Sequence, residues 1–331
     1  MNKKAYRKAF SGTSVVTTVI IVLLVLIIVT LCAVIARDMA NDKKADVGTS
    51  AVTTDDVPAT EEEDKETQAV LDTSRYDVIK CSESELTQGP LVLVNRENAY
   101  AFSDSVSLVN LYNNKDRRYT VSSSEITLQR DAFLALGRLT DAFYSETSLE
   151  IMQVTAGYRT KQQQEDFYNS MVSSDEDSGY FEFAGYSDHH TGYAFDVKLY
   201  LDDGTSLSYA KNAEEYAPFI VDNYHKYGFI MRYPGNKTEY TGIISEGNHF
   251  RYVGMPHSVY MHENDLCLEE YISYIKKFPV TAPLQVLTGG KTYYVYYTRK
   301  TGDVTDVYVP NFAEYTVSGN NTDGFIVTYC E

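Results

Sequence analysis

The sequence predicts an α+β fold on three observations. Between about Tyr76 and Phe278, runs with a helical apolar period alternate with short β-branched and aromatic runs. These runs do not follow a strict βαβ repeat, which disfavours a doubly wound sheet. The last fifty residues then change character, becoming rich in Tyr, Val and Thr with turn residues between the runs.

The elements follow in order. Leu128, Ala132, Leu136, Leu139 and Phe143 share one helical face, and Ser122 and Glu125 stand at capping-box spacing ahead of them. Glu150 to Thr155 reads as a strand, Lys161 to Met171 as a helix and Tyr193 to Tyr200 as a strand. Ala213 to Tyr227 reads as a helix stopped by Gly228. His249 to Val253 is a short strand, and Leu266 to Phe278 a last helix. Thr292 to Thr298 and Val304 to Val309, with Lys300-Thr301-Gly302-Asp303 between them, carry a hairpin signal, and Phe325 to Tyr329 adds a strand. No repeat of 20–50 residues is visible.

The N-terminal part is of another kind. Val15 to Ala36 is almost wholly apolar, and its 22 residues match the roughly 20 that a helix needs to cross a bilayer. Lys3, Lys4, Arg7 and Lys8 precede it and an acidic stretch follows, so the rule that positive charge stays inside places the N-terminus in the cytoplasm. The run is longer than the apolar part of a cleaved signal peptide, which favours an anchor. Asp38 to Ser74 is rich in Asp, Glu, Thr and Ala and reads as a disordered, charge-extended stalk. The expected organisation is therefore residues 1–37 as cytoplasmic tip and anchor, 38–75 as stalk, 76–280 as the main domain and 281–331 as a small β module.

A net charge of -17 argues against nucleic acid, which needs clustered Lys and Arg. Cys32 lies in the apolar run; Cys81, Cys267 and Cys330 show no C-x-x-C spacing, so a zinc–thiolate site is not expected. Two of these three pair in an oxidising compartment or all remain free; their spacing does not choose.

The chemistry concentrates in two segments. In Ser187-Asp188-His189-His190-Thr191-Gly192-Tyr193-Ala194-Phe195-Asp196, His189 and Asp196 are seven apart; His249 follows in Glu246-Gly247-Asn248-His249. Two imidazoles and a carboxylate suit a catalytic zinc with a fourth position for water. Glu246 is placed to take that water's proton. Gly192 and Ala194 let the chain turn tightly between ligands, and Phe195 and Val197 flank Asp196 as in a buried strand.

These residues also carry a resemblance. Ser187 to Asp196 resembles the S-x-H-x-x-G-x-A-x-D signature of the VanY-type D-alanyl-D-alanine carboxypeptidases and dipeptidases, in the LAS group of zinc peptidases. Glu246 to Gly254 (EGNHFRYVG) resembles that family's E-x-x-H-F-R-Y-V-G strand. Ala156-Gly157-Tyr158-Arg159-Thr160 with Gln164, the stretch Gly228 to Pro234 leading to Thr241-Gly242, and Leu91 to Asn95 match in family order. The resemblance spans about residues 88 to 278. It implies a LAS/hedgehog-like domain with a small antiparallel sheet and flanking helices. It implies Zn2+ on His189, Asp196 and His249, with Glu246 as base and then acid toward the leaving amine. It also implies Arg159 on the substrate's C-terminal carboxylate, Gln164 on the substrate backbone, and Ser187 on the substrate or the ligand loop. The implied substrates are peptidoglycan peptides ending in D-Ala, met outside the cytoplasmic membrane by a domain tethered through the N-terminal helix. The chain departs from the pattern at Gly247-Asn248, where the family usually has Pro-Trp, and at Ala184-Gly185-Tyr186, which replaces a proline-containing loop.

Other candidates are read as structural. His190 is expected beside the site rather than in it, and Arg232, Arg251 and Tyr252 are expected in hydrogen bonding. His257 and His262, five apart, do not stack on one helix face. His225 is expected to face water or a helix end.

Overall fold

The computed structural model describes residues 71–102, 107–114, 118–171 and 181–331. The expected anchor and residues 38–70 of the expected stalk lie outside them; the stalk's last residues are ordered, as a 3-10 turn Thr73–Arg75 capped by Asp72. Among the described residues no helix is long and apolar enough to cross a membrane. The chain enters with β1 (Tyr76–Ser82), then β2 (Leu108–Asn110), β3 (Thr120–Val121) and β4 (Thr127–Gln129). Helix α1 (Arg130–Thr147), β5 (Met152–Ala156) and α2 (Lys161–Met171) follow. Next come β6 (Ala194–Tyr200), β7 (Ser206–Ser208), α3 (Tyr209–Tyr216), α4 (Pro218–Asn223), β8 (Phe229–Tyr233), α5 (Thr238–Thr241) and β9 (Glu246–Tyr252). Helices α6 (His257–Glu263) and α7 (Leu268–Ile275) lead into β10 (Leu284–Thr288), β11 (Lys291–Arg299), β12 (Val304–Pro310), β13 (Tyr315–Gly319) and β14 (Gly324–Cys330).

A sheet in the order β3-β5-β6-β9-β8, with β7 also on β6, forms the centre; it is antiparallel except for β3 on β5. Its apolar side takes Phe195, Val197, Phe229 and Phe250, all fully buried against the inner face of α1. That face is the predicted stripe: Ala132, Leu136, Leu139 and Phe143 have no exposure at all. Leu128 is also buried but belongs to β4, opposite Val109. The helix therefore begins at Arg130, with no side-chain cap at Gln129, and the Ser122–Glu125 capping box does not form. The backbone just ahead of the helix is engaged elsewhere, in the β2 ladder and in a bond from Gln129 N–H to Gly192 O.

The expected helix from Ala213 to Tyr227 is broken in the middle. Pro218 lacks an N–H and pushes Ala217 out of the helical region, to φ -138, so α3 stops there and α4 restarts with proline in its first turn. Gly228 does end the segment, in the left-handed conformation at φ +91.

The C-terminal strands depart most from expectation. The strands β11 and β12 are consecutive but form no hairpin: β11 lies between β10 and β14, so both its edges are already paired. The strand β12 instead pairs along its whole length with β1, two hundred residues earlier. The described residues belong to one compact unit. Within it, Ile230, Val253 and Tyr271 share a core with Val295 and Ile326. His257, buried on α6, bridges the Tyr271 hydroxyl at 2.6 Å and Thr328 Oγ1 at 3.1 Å. Cys81, Cys267 and Cys330 are free thiols. His225 does not face water: it is buried and its ring stacks on His262 at 3.7 Å between centroids.

Candidate metal centre and active site

Strand register makes the site. Asp196 on β6 and His249 on β9 are directly opposed cross-strand partners, which brings their side chains together although they stand 53 positions apart in the chain. His189 arrives from the turn Asp188–Thr191, a 3-10 turn closed by Gly192 in the left-handed conformation at φ +71. A Cβ at Gly192 would also stand 3.1 Å from Gln129 and Leu108, so glycine meets both the turn and the close approach.

His189 Nε2 lies 3.3 Å from Asp196 Oδ2, and His249 Nδ1 lies 3.0 Å from Asp196 Oδ1. The three ligand atoms all fall within 4.8 Å of one another. Tetrahedral zinc with ligands at about 2.0–2.1 Å requires donor separations of about 3.3 Å, so the spacing fits. The hydrogen bonding fits as well. His189 Nδ1 is 2.7 Å from Gly157 O, so it donates there and leaves Nε2 as a lone pair. Asp196 Oδ1 has no hydrogen-bond partner among the described residues although His249 Nδ1 is so near. Lone pairs converging in a buried space call for a cation between them.

Glu246 and His249 share β9 yet meet on one side, with Glu246 Oε2 3.5 Å from His249 Nδ1. Residues three apart on a regular strand face opposite ways. Here the β8–β9 register runs Tyr233↔Glu246 and then Met231↔Phe250, so β9 carries two extra residues and bulges. Such bulges re-aim side chains beside active sites. Gly247 and Asn248, the departure from the family pattern, sit inside this bulge. Burial raises the Glu246 carboxyl to about 8; His249 opposes that, and the Glu182 and Asp196 carboxylates add to it. Burial also lowers the pKa of His189, reinforced by Arg159, so its ring stays neutral as a ligand must.

Arg159 approaches from the loop after β5. Its Nη2 is 3.6 Å from Asp196 Oδ2, and its guanidinium lies over the Phe167 ring at 4.2 Å. Gln164 is fully buried. It accepts from Arg159 Nη1 at 3.0 Å and donates to Glu182 O at 2.8 Å, and thereby aims the arginine. Ser187 is also fully buried; its Oγ accepts from His189 N–H and caps the ligand turn. His190 stitches the loop: its Nδ1 is 2.7 Å from Arg159 O and its Nε2 accepts from Gly185 N–H. Arg232, Arg251 and Tyr252 hold structural positions.

Sequence reasoning missed three site neighbours. Tyr233, whose ring is 4.9 Å from that of His249, donates to Glu182 Oε1 at 2.5 Å. Asp188 is fully buried behind His249. Tyr233 and Asp188 lie inside segments already singled out, and an acid flanked by apolar and ligand positions is the signal that was available for Asp188.

This geometry can hold a single metal ion on two imidazoles and a carboxylate, with a second carboxylate and a guanidinium beside it. The family described as VanY, D-alanyl-D-alanine carboxypeptidase, matches residues 125–255. A D-alanyl-D-alanine carboxypeptidase from Enterococcus faecium is 36% identical over 251 residues, covering 75% of this chain and 77% of the relative. A bifunctional D-Ala-D-Ala dipeptidase and carboxypeptidase, VanXYC from Enterococcus gallinarum, is 32% identical over 159 residues, 46% of this chain and 82% of the relative. The crystal structure of a vancomycin-resistance D,D-dipeptidase, VanXYg, in complex with a D-Ala-D-Ala phosphinate analogue superposes with a TM-score of 0.66 at 29% identity. That match covers 77% of this chain and 99% of the other. The chain belongs to the VanY family of D-alanyl-D-alanine carboxypeptidases and is a zinc metallopeptidase with a LAS-type fold.

Proposed function

We propose that the protein removes the C-terminal D-Ala from peptidoglycan stem peptides or their precursors by hydrolysis of the last peptide bond. The observation that carries this reading is the convergence of His189, Asp196 and His249 with Glu246 on the same side. His189, Asp196 and His249 would hold the zinc, which would supply a Lewis acid for the scissile carbonyl and lower the pKa of a water to about 7. Glu246, on the same side as the three ligands, takes the proton from the attacking water and delivers it to the leaving amine. Arg159 pairs with the free carboxylate through two parallel hydrogen bonds and so selects a chain end. Gln164 and Phe167 hold the guanidinium in that orientation.

We also read Val15 to Ala36 as a membrane anchor with the catalytic domain on the outer side. Its apolar length and the preceding Lys3, Lys4, Arg7 and Lys8 support that reading.

The test is Glu246→Ala with a stem pentapeptide as substrate. D-Ala release falls by about 10²–10⁴-fold while bound zinc stays stoichiometric. Unchanged turnover refutes the assigned base. Mass spectrometry of products from penta-, tetra- and dipeptides distinguishes carboxypeptidase action from dipeptidase or L,D-cleavage.

A further inference from the structure

Asp188 stands between the ligand His189 and the buried arginines, and no role in the reaction described above uses it. Its side chain has no exposure. Oδ1 accepts from Arg251 Nη1 and lies 3.7 Å from Arg232 Nε. Oδ2 faces His249 Nε2 at 3.6 Å, and neither of these atoms has a hydrogen-bond partner among the described residues. Two complementary buried atoms, each lacking a partner and pointing at each other, are separated by less than an ångström beyond bonding distance. A small rotation of the His249 ring, as its Nδ1 engages a cation on the far side, closes that gap.

We propose that Asp188 is the positioning residue for the metal ligand His249: it accepts a hydrogen bond from Nε2–H and thereby presents Nδ1 as the lone pair. This rests on the assignment of His249 as a ligand. The two ligand histidines then use the same device with opposite atoms. His189 donates its Nδ1–H to the Gly157 carbonyl and binds through Nε2; His249 donates its Nε2–H to Asp188 and binds through Nδ1.

The arginines give Asp188 a second function. Arg251 also donates to Pro90 O at 2.9 Å and Val92 O at 2.8 Å; Arg232 donates to Val94 O at 3.2 Å and pairs with Glu269 at 2.7 Å. Residues 90–94 are tied in turn to the C-terminal strands, with Leu91 N–H on Ser318 Oγ and Leu93 N–H on Asn320 O. The carboxylate is thus held from behind by charge that cannot move without moving this segment. It meets the ring with a fixed geometry, as partners behind metal ligands do.

The experiment measures zinc affinity of the full chain by competition with a chromophoric chelator, alongside apo-protein melting by circular dichroism. Asp188→Asn weakens zinc binding by about 10–100-fold while the apo fold remains. The cobalt-substituted form shows a shifted visible spectrum, because His249 is no longer oriented. Unchanged affinity and spectrum in a folded Asp188→Asn protein overturn the proposal. Loss of the buried counter-charge to two arginines can also unfold that variant. The wild-type zinc form is therefore examined by ¹⁵N imidazole NMR. A protonated, exchange-protected Nε2 on His249 with a metal-bound Nδ1 supports the proposal; the reverse tautomer sinks it. Absence of zinc from the wild-type protein is a separate outcome and defeats the ligand assignment itself.

Discussion

At the scale of single residues, the site works by dividing positive and negative roles among groups that pack against one another. Arg159 is the clearest case, because its guanidinium is aimed by Gln164 from one side and the Phe167 ring from another. Replacing it by Lys keeps the charge and removes the planar fork. Arg159→Lys is expected to raise KM for the stem pentapeptide at least tenfold with zinc content unchanged. Gln164→Leu is expected to move KM the same way by a smaller factor, since it only loosens the aim; steady-state kinetics on the two variants test the pair. An unaltered KM in Arg159→Lys would show that the substrate carboxylate binds elsewhere. His189, Asp196, His249, Glu246 and Arg159 were legible in the sequence because each sits in a distinctive local pattern. The burial of Gln164 and Ser187 was not, because exposure depends on loops that close over them from elsewhere in the chain.

At the scale of elements, strands β6 and β9 set the distance between two ligands, and helix α1 holds the sheet behind them. Leu136 is wholly buried in the middle of that helix. Leu136→Ala leaves a cavity and costs about 2–5 kcal/mol of stability. Chemical denaturation should show the loss as a lower midpoint with an unchanged slope. Gly157 marks another constraint. A Cβ there would stand 2.4 Å from Thr127 O, and its own carbonyl orients His189. Gly157→Ala is expected to lower both the thermal midpoint and zinc affinity; a variant that retains zinc at wild-type strength argues against this carbonyl as the orienting group. Helix α1 and strand β6 were readable because Ala132, Leu136, Leu139 and Phe143 recur at helical spacing and Phe195, Val197 and Leu199 alternate along the strand. The break at Pro218 and the failed cap at Ser122 were misread because helical periodicity outlasted the backbone hydrogen bonds that would make a helix.

At the scale of the molecule, the C-terminal strands are built into the same unit as the metal-bearing sheet. Strand β12 completes β1, Ser318 and Asn320 hold residues 91–93, and Thr328 reaches His257. Truncation after residue 280 is therefore expected to unfold the domain rather than trim it, visible as loss of the cooperative melt and rapid proteolysis. A truncated chain that still melts cooperatively would disprove this. Burial also shapes the pH response. His257 is lowered to about 3 by burial, and His225 to about 4 by burial and the neighbouring His262. Unfolded histidine titrates near 6.5, so below that pH the unfolded chain takes up protons that the folded one refuses. Stability is present in full above about 6.5 and falls as pH drops toward 4 and then 3. Thermal midpoints measured between pH 7 and 5 should decrease, and His225→Phe, which keeps a ring to stack on His262, should decrease less.

What the sequence by itself determined is local: the side-chain types of His189, Asp196 and His249 that converge, the Glu246 carboxylate beside them, the helical stripe of α1 and the mixed fold class. These depend on neighbours within a few residues, where spacing and side-chain type are visible. What only the tertiary structure decided is which backbone edges pair and what lies behind the ligands. β11 found β10 and β14 rather than β12, β12 found β1, and Asp188 came to face His249. Pairing of strands distant in sequence is chosen by which buried N–H and C=O groups remain to be satisfied once the core is packed, and that choice belongs to the whole chain at once.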